Sequence, residues 1–376
     1  MEKYGQVFSS EAVTKGHPDK VCDQISDAIL DEYLKEDCKS RVACETMIMP
    51  DKVLVMGEVS TQAKINVEKI VRKVLNDVGY SKDYHGISPT KCKVEINFLP
   101  QSKDIERGVL LDSDSHILGA GDQGIMHGYA TEETPLLLPL PFVLARRLVQ
   151  RLDWVREKKV LDYLLSDGKA QVSVLYDTNM RPIRVVNVVL STQTLPKVSI
   201  QKIKKDILEK VICKVIPTSM CDENTQYYIN PTGRFVSGGV QADCGLTGRK
   251  IIADTYGGWG RHGGGAFSGK DATKVDRTGA YMARYLARQM VEARLCKRVD
   301  IQLAYSIGHS EPIGIYIDTF GTGKVSDEMI LDQIVKRHDL SLAAIIQRFE
   351  LCRPIYYKLA QYGHFGREDI ETPWEC

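Results

Sequence analysis

The chain has 376 residues, and 50 Lys and Arg stand against 49 Asp and Glu for a formal charge of +1. That balance excludes a long-range basic field for nucleic acid and an acidic one alike, so any anion site must be local. The length predicts two or three domains, and ten cysteines without a Cys-x-x-Cys pair argue against a zinc ribbon or redox dithiol. No signal-like start and no run of eighteen apolar residues is present, so a soluble, cytoplasmic protein with no membrane partner is expected.

In chain order, Pro18 to Leu34 reads as a helix with proline in its first turn and Val21, Ile25, Ala28, Ile29 and Tyr33 on one side. Strand-like runs Arg41 to Met49 and Lys52 to Ser60 follow, joined by Pro50-Asp51, then a helix from about Ile65 to Val78. The same order returns as Leu136 to Val155, the hairpin Gln171 to Tyr176 and Ile183 to Leu190, and Ile200 to Val211. It returns again as Val275 to Ala293, Asp300 to Ser306 with Ile313 to Phe320, and Val325 to Arg337. Three copies of helix, hairpin, helix at this spacing are too far apart for a solenoid and predict three similar α+β domains. Polar, glycine-rich stretches from Gln101 to Gly124 and from Pro231 to Gly248 separate the copies, as lids or site loops do.

The densest signal is Gly257 to Arg277, in which seven of the first thirteen residues are glycine. Glycine costs backbone entropy on ordering, so something is expected to approach this backbone closely. From Gly264 the spacing Gly-x-x-x-x-Gly-Lys matches a phosphate-cradling loop, but Asp271 stands where such a loop needs Ser or Thr for magnesium. Lys270, Lys274, Asp276 and Arg277 sit at the mouth of the helix that follows, where free N–H groups and a positive dipole end suit an anion.

Other residues look out of place. Strand alternation sets Glu45 with Ala43, Met47 and Met49, and Glu58 with Leu54 and Met56; carboxylates among apolar neighbours stay charged only beside a cation or several donors, which suggests a cationic ligand or metal. At the start of the first helix, Gly16-His17-Pro18-Asp19-Lys20 suits phosphate chemistry, with Asp19 acting through magnesium and His17 and Lys20 directly. Asp122 in Gly119-Ala-Gly-Asp-Gln-Gly124 is a turn cap by type. Asp167 and Lys169 stand just before a strand, a common place for site residues. Arg234 beside Phe235 can stack on a flat base and clamp phosphate, and Asp243, Arg249 and Lys250 surround the Gly245 to Gly248 turn. The sum is a magnesium nucleotide site divided among three repeats. Phosphoryl transfer, displacement of a whole polyphosphate, and nucleotide sensing without chemistry all remain open on these residues.

Gly16-His-Pro-Asp-Lys20 with Cys22-Asp-Gln-Ile-Ser-Asp-Ala, Arg41-Val-Ala-Cys-Glu45, Gly119 to Gly124, Asp243-Cys-Gly-Leu-Thr-Gly-Arg-Lys250, Gly263-Gly-Gly-Ala-Phe-Ser-Gly-Lys-Asp271 and Tyr362-Gly-His-Phe-Gly-Arg367 together resemble the S-adenosylmethionine synthetase family over essentially the whole chain. The resemblance implies an α+β fold of three similar domains about a pseudo-threefold axis, with boundaries at 4–102, 116–237 and 239–376 and a mobile loop at 101–121. It implies attack of the L-methionine sulfur on C5' of ATP, with tripolyphosphate leaving and then cleaved to pyrophosphate and phosphate. A magnesium-dependent ATP phosphotransferase is the alternative. By the same likeness His17, Lys169, Arg249 and Lys270 are catalytic. ATP binding adds Asp167, Arg234, Phe235, Asp243, Lys250 and Ala266, and methionine is met by Glu58, Gln101, Asp243 and Lys274. Asp19 and Asp276 would hold Mg2+ and Glu45 would hold K+, in a homodimer with shared sites that forms a homotetramer. Four positions depart from the family pattern: Lys103 where proline is usual, Leu165 and Ser166 where Arg-Pro is usual, and His127 where phenylalanine is typical.

Overall fold

A computed structural model describes residues 5–100 and 118–376. Six long helices are named here: α1 (Pro18–Glu36), α2 (Val67–Asp77), α3 (Leu140–Glu157), α4 (Ile200–Lys210), α5 (Val275–Glu292) and α6 (Asp327–Arg337). The strands are β1 (Gln6–Val13), β2 (Arg41–Met49), β3 (Lys52–Ser60), β4 (Lys93–Leu99), β5 (Gly124–Thr131), β6 (Leu164–Tyr176), β7 (Pro182–Thr194), β8 (Gln226–Ile229), β9 (Gly245–Leu246), β10 (Arg298–Tyr305) and β11 (Gly314–Asp318). All three helix-hairpin-helix copies are present, as α1-β2-β3-α2, α3-β6-β7-α4 and α5-β10-β11-α6.

The sheets are not closed within each copy. Their orders are β4-β3-β2-β9, β1-β6-β7-β8 and β11-β10-β5. The short strand ahead of each leading helix therefore pairs with the hairpin of another copy. β1 ahead of α1 pairs antiparallel with β6, β5 ahead of α3 with β10, and β9 ahead of α5 with β2. This cyclic exchange covers one edge of every sheet, where unpaired N–H and C=O groups would otherwise template aggregation. It also stitches the three copies together by backbone hydrogen bonds. On the other edge, β4 and β8 add in parallel to β3 and β7.

Each sheet packs one face on its helices. In the first, Val42, Cys44, Thr46, Ile48, Val53 and Val55 are buried, as are Val21, Ile25 and Ile29 of α1 and Val71, Val74 and Leu75 of α2. Glu45 and Glu58 lie on the opposite, outward face, where Glu45 is exposed and Glu58 half-buried. Alternation alone distinguishes the two faces but not which is inside, and this outward face is itself rich in Met and Leu. Helix α3 begins at Leu140 rather than Leu136 because Leu137 takes φ 52° and Pro139 fills the N-cap.

Candidate active site

Helix α1 organises the site. His17 is its N-cap, with extended backbone (φ −65°, ψ 136°), Pro18 follows, and the His17 Nδ1 accepts from the Asp19 amide at 3.2 Å. Gly16 ahead of it admits no side chain, since a Cβ would lie 2.4 Å from the Ser166 carbonyl. Asp19, 1% exposed, accepts from the Leu246 amide at 3.0 Å and from Lys250 Nζ at 2.6 Å, and Arg249 Nη1 stands 3.8 Å away. Burial pushes the Asp19 carboxyl up, but the bonds from Lys250 and Leu246 outweigh it and hold it below its ordinary value. Burial, then the charge of Lys250, drives His17 down to about 3, so its imidazole is neutral at physiological pH. With Nδ1 accepting, the proton sits on Nε2 and the ring is a hydrogen-bond donor toward the open side.

Lys20 is not part of this mouth. Fully buried, it bonds Asp23 at 3.0 Å and Asp254 at 2.6 Å, which corrects its expected role on phosphate. Burial, the largest influence on Lys20, would lower its pKa, but the two carboxylates outweigh it and raise it.

The sequence reading missed a pattern on α1. Asp19, Asp23, Asp27 and Asp31 recur every fourth residue, all are buried, and each accepts a backbone amide from the segment after residue 245. The donors are Leu246, Gly248, Gly269 and the Tyr356–Tyr357 pair, in that order. This ladder sets the turn carrying Arg249 and Lys250 and the glycine-rich loop against one helix. Asp27 also pairs with the buried Arg277 at 2.7 Å, so Arg277 belongs to the core rather than to the site mouth.

The glycines of that loop admit neighbouring protein. A Cβ on Gly263 would lie 1.6 Å from the Ile125 carbonyl, one on Gly265 2.3 Å from Asp276 Oδ1, and one on Gly269 1.8 Å from the Cys44 carbonyl. The Gly269 amide donates to Asp27, and Lys270 bridges to Ala43 at the edge of β2. The phosphate-loop spacing is therefore closed by β2 and α1. Only Gly264, with φ 94°, has open space where a side chain would stand. Two cations flank the loop: Lys270 pairs with Asp276 at 2.5 Å, and Lys274 with the buried Asp271 at 2.6 Å. Burial would raise the Asp271 carboxyl, but Lys274 and Arg41 keep it low.

The turn before Lys250 and the loop before Lys270 approach each other at Gly248, where a Cβ would lie 2.7 Å from the Ala266 side chain. Lys169 stands on β6 paired with Glu11 at 2.7 Å, and its charge contributes to the low His17 pKa. Asp167 lies inside β6 at a register shift rather than ahead of it. It accepts from the Gly239 amide at 2.8 Å, and burial pushes it to about 6. Arg234 is exposed and donates to the Pro196 carbonyl at 2.7 Å, Phe235 is half-buried and Asp243 exposed. Glu45 and Glu58 are diagonal neighbours on β2 and β3, since Glu45 registers with Met56; neither has an ion pair among the described residues. Gln101, and most of the expected 101–121 loop, lie outside the described residues. Asp122 Oδ1 accepts from the Gln123 amide at 2.7 Å. No helix among the described residues is long and apolar enough to cross a membrane.

Three family models match the chain in order. The S-adenosylmethionine synthetase N-terminal domain falls on residues 5–103, the central domain on 117–235 and the C-terminal domain on 237–376. These matches favour S-adenosylmethionine formation over the phosphotransferase alternative. The three copies, their exchanged strands and the cation cluster at the head of α1 all fall within these spans, and the chain belongs to the S-adenosylmethionine synthetase family, a methionine adenosyltransferase that makes S-adenosylmethionine from ATP and L-methionine.

Proposed function

We propose that the mouth of α1 and the glycine-rich loop receive the triphosphate of ATP, and that the methionine sulfur displaces it whole from C5'. The observation that carries this reading is local charge: around Asp19, itself paired with Lys250, stand Arg249 within 4 Å and Lys169 close enough to depress His17. No covalent nucleophile is required. The site must align sulfur, carbon and leaving oxygen, and neutralise charge that grows on the departing phosphates. His17, neutral with its proton on Nε2, donates a hydrogen bond near the bond that breaks. Lys169, Arg249, Lys250 and Lys270 bind phosphate oxygens, Arg234 and Phe235 hold the adenosine, and Ala266 touches it through its backbone. Asp167 fixes the Gly239 turn against the nucleotide, while Glu58, Gln101, Asp243 and Lys274 meet methionine.

The family uses metal ions, and the carboxylates suit Mg2+. No group of three or more His, Cys, Asp or Glu side chains among the described residues forms a protein cage. Asp19 and Asp276 instead offer single carboxylates beside phosphate-binding cations, the arrangement Mg2+ takes when substrate phosphates and water complete its shell. When bound, the ion neutralises triphosphate charge; Asp276, whose side chain is 25% exposed, and Asp19 would hold it. Glu45 would hold K+. The outward sheet face around Glu45 and Glu58 carries half-buried Met47, Leu54 and Met56, and Leu99, 62% exposed, registers with Glu58. A large apolar patch with unpaired carboxylates suits a second copy of the chain, with sites completed across a homodimer that pairs into a tetramer. The three units at 4–102, 116–237 and 239–376, the 101–121 loop as a cover and a cytoplasmic location complete the proposal.

The test is product analysis. With ATP, L-methionine and Mg2+ the protein should yield S-adenosylmethionine, pyrophosphate and phosphate, and ADP in their place would overturn the mechanism. Lys270→Met should lower turnover by on the order of 3 kcal/mol in the barrier, roughly a hundredfold, because it removes a contact that strengthens as charge develops. Parent turnover in that variant would remove Lys270 from the phosphate site.

A further inference from the structure

A polar unit lies beneath the glycine-rich loop that the proposed chemistry does not use. His127 of β5 is buried, and its Nδ1 stands 2.7 Å from Asp300 Oδ1 on β10. Strand register sets Gln302 opposite His127, with the Gln302 Nε2 at 3.0 Å from His127 Nε2. An amide nitrogen only donates, so His127 Nε2 accepts and Nδ1 carries the proton that Asp300 receives. The second oxygen of the fully buried Asp300 carboxylate accepts from the Arg261 backbone amide at 3.0 Å. The Arg261 guanidinium lies 3.7 Å from Asp300 Oδ1 and bonds Asp318 of β11 at 2.8 Å.

From Arg261 the backbone runs directly to the close approaches of Gly263 on Ile125 and of Gly265 on Asp276. Ile125 is two residues from His127 on the same strand, and His127, Arg261, Gly265 and Asp276 line one small cavity. A buried carboxylate that receives one donor from a strand and one from the loop fixes the distance between them, because losing either leaves an oxygen unsatisfied where water is scarce.

We propose that His127 and Asp300 are positioning residues for the known reaction. They set the height of the 261–265 loop over β5 and β10, and so hold Asp276 and its partner Lys270 where the triphosphate arrives; this rests on the phosphate-site reading given above. Neither residue touches substrate.

The test uses the full-length protein. His127→Phe fills the space but cannot donate, and should lower kcat by about tenfold, while half-saturating methionine stays within about twofold of the parent, because the methionine contacts lie elsewhere. His127→Asn returns a donor near the Nδ1 position and should recover most of the loss. Hydrogen exchange of a peptide spanning 258–268 should accelerate in His127→Phe and return toward the parent in His127→Asn. If His127→Phe does not fold, Asp300→Asn carries the test. It is isosteric, can accept only one of the two bonds, and should reproduce the fall in kcat and the faster exchange. Parent kcat in folded His127→Phe or Asp300→Asn overturns the proposal, as does His127→Asn that folds yet is no better than His127→Phe. Lys270→Met in the same assay separates the two readings. If Lys270→Met is impaired while His127→Phe is normal, only the positioning role falls; if Lys270→Met turns over like the parent, the phosphate site itself falls.

Discussion

The two ends of α1 use one residue type for opposite purposes. Asp19 at the mouth accepts from Lys250, has Arg249 close by, and shares its surroundings with Lys169 and the neutral His17. Twelve residues on, about 18 Å at 1.5 Å per residue, Asp31 accepts from the Tyr356 and Tyr357 amides and has no ion pair among the described residues. Between them Asp23 and Asp27 are matched to Lys20 and Arg277. Cation pairing thus falls along the helix from surplus, through matched pairs, to an Asp31 that feels Arg277 only at a distance. A fully buried ion pair such as Lys20–Asp23 or Arg277–Asp27 offers neither partner to a ligand, whereas the surplus at the mouth is charge that the proposed triphosphate can meet. Buried aspartates alone therefore do not mark a site; the local excess of cations does.

The largest expected effect lies in the matched region. Arg277 is fully buried, donates to both oxygens of Asp27 at 2.7 and 2.9 Å, and lies over the Tyr356 ring at 4.3 Å. Arg277→Met should leave Asp27 without its cation and lower stability by about 3–5 kcal/mol, measured as a fall in the urea midpoint. A variant as stable as the parent would mean that the pair contributes nothing and would dissolve the contrast.

The mouth should behave in the reverse way. Lys250, 19% exposed at its side chain, is one of several cations there, and Lys250→Met should lower kcat by on the order of 3 kcal/mol in barrier, roughly a hundredfold. Its urea midpoint should move far less than that of Arg277→Met, since Asp19 keeps the Leu246 amide and can draw on Arg249. A variant that unfolds readily but turns over normally when folded would reassign Lys250 to architecture.

Much of this was legible in the sequence, and the failures share a cause. The hairpin β2–β3 is found with the bounds its alternation predicts, because local pattern and the Pro50-Asp51 turn suffice; Asp51 takes the φ of 61° that such a turn requires. β9 is two residues long and β1 pairs with residues more than 150 positions away, so neither carries a local signal of its own. The glycines of the 257–269 stretch announced a close approach without saying of what, and most of the approaching atoms belong to the protein. The aspartate ladder was visible as an i, i+4 series, but on a helix that spacing is also how a solvated face looks. Only the burial of its neighbours separates the two. His127 was legible as a departure, while its partner Asp300 lies 173 residues away and becomes meaningful only through the β5–β10 register.

The smallest effect tests the comparison by its sign. Burial pushes Asp31 up to about 7 against the partial relief of its two amide bonds, whereas Asp19 is held below its ordinary value. Between about pH 4 and pH 7 the folded chain keeps the Asp31 proton while the unfolded chain has lost it, so this group's contribution to stability is present at low pH and is lost as pH rises through 7. Asp19 has the opposite sign, since its contribution is present above the usual carboxylate range and is lost on acidification. Asp31→Asn mimics the protonated form at every pH. Its stability relative to the parent should therefore climb between pH 4 and 7, by at most about 1.4 kcal/mol per pH unit, and level off above. Taking the difference between the two proteins cancels the other titrating groups, including Asp254, which burial also pushes to about 7. A difference that stays flat across that window would show Asp31 to be charged like Asp19, and the two ends of the helix would then be alike.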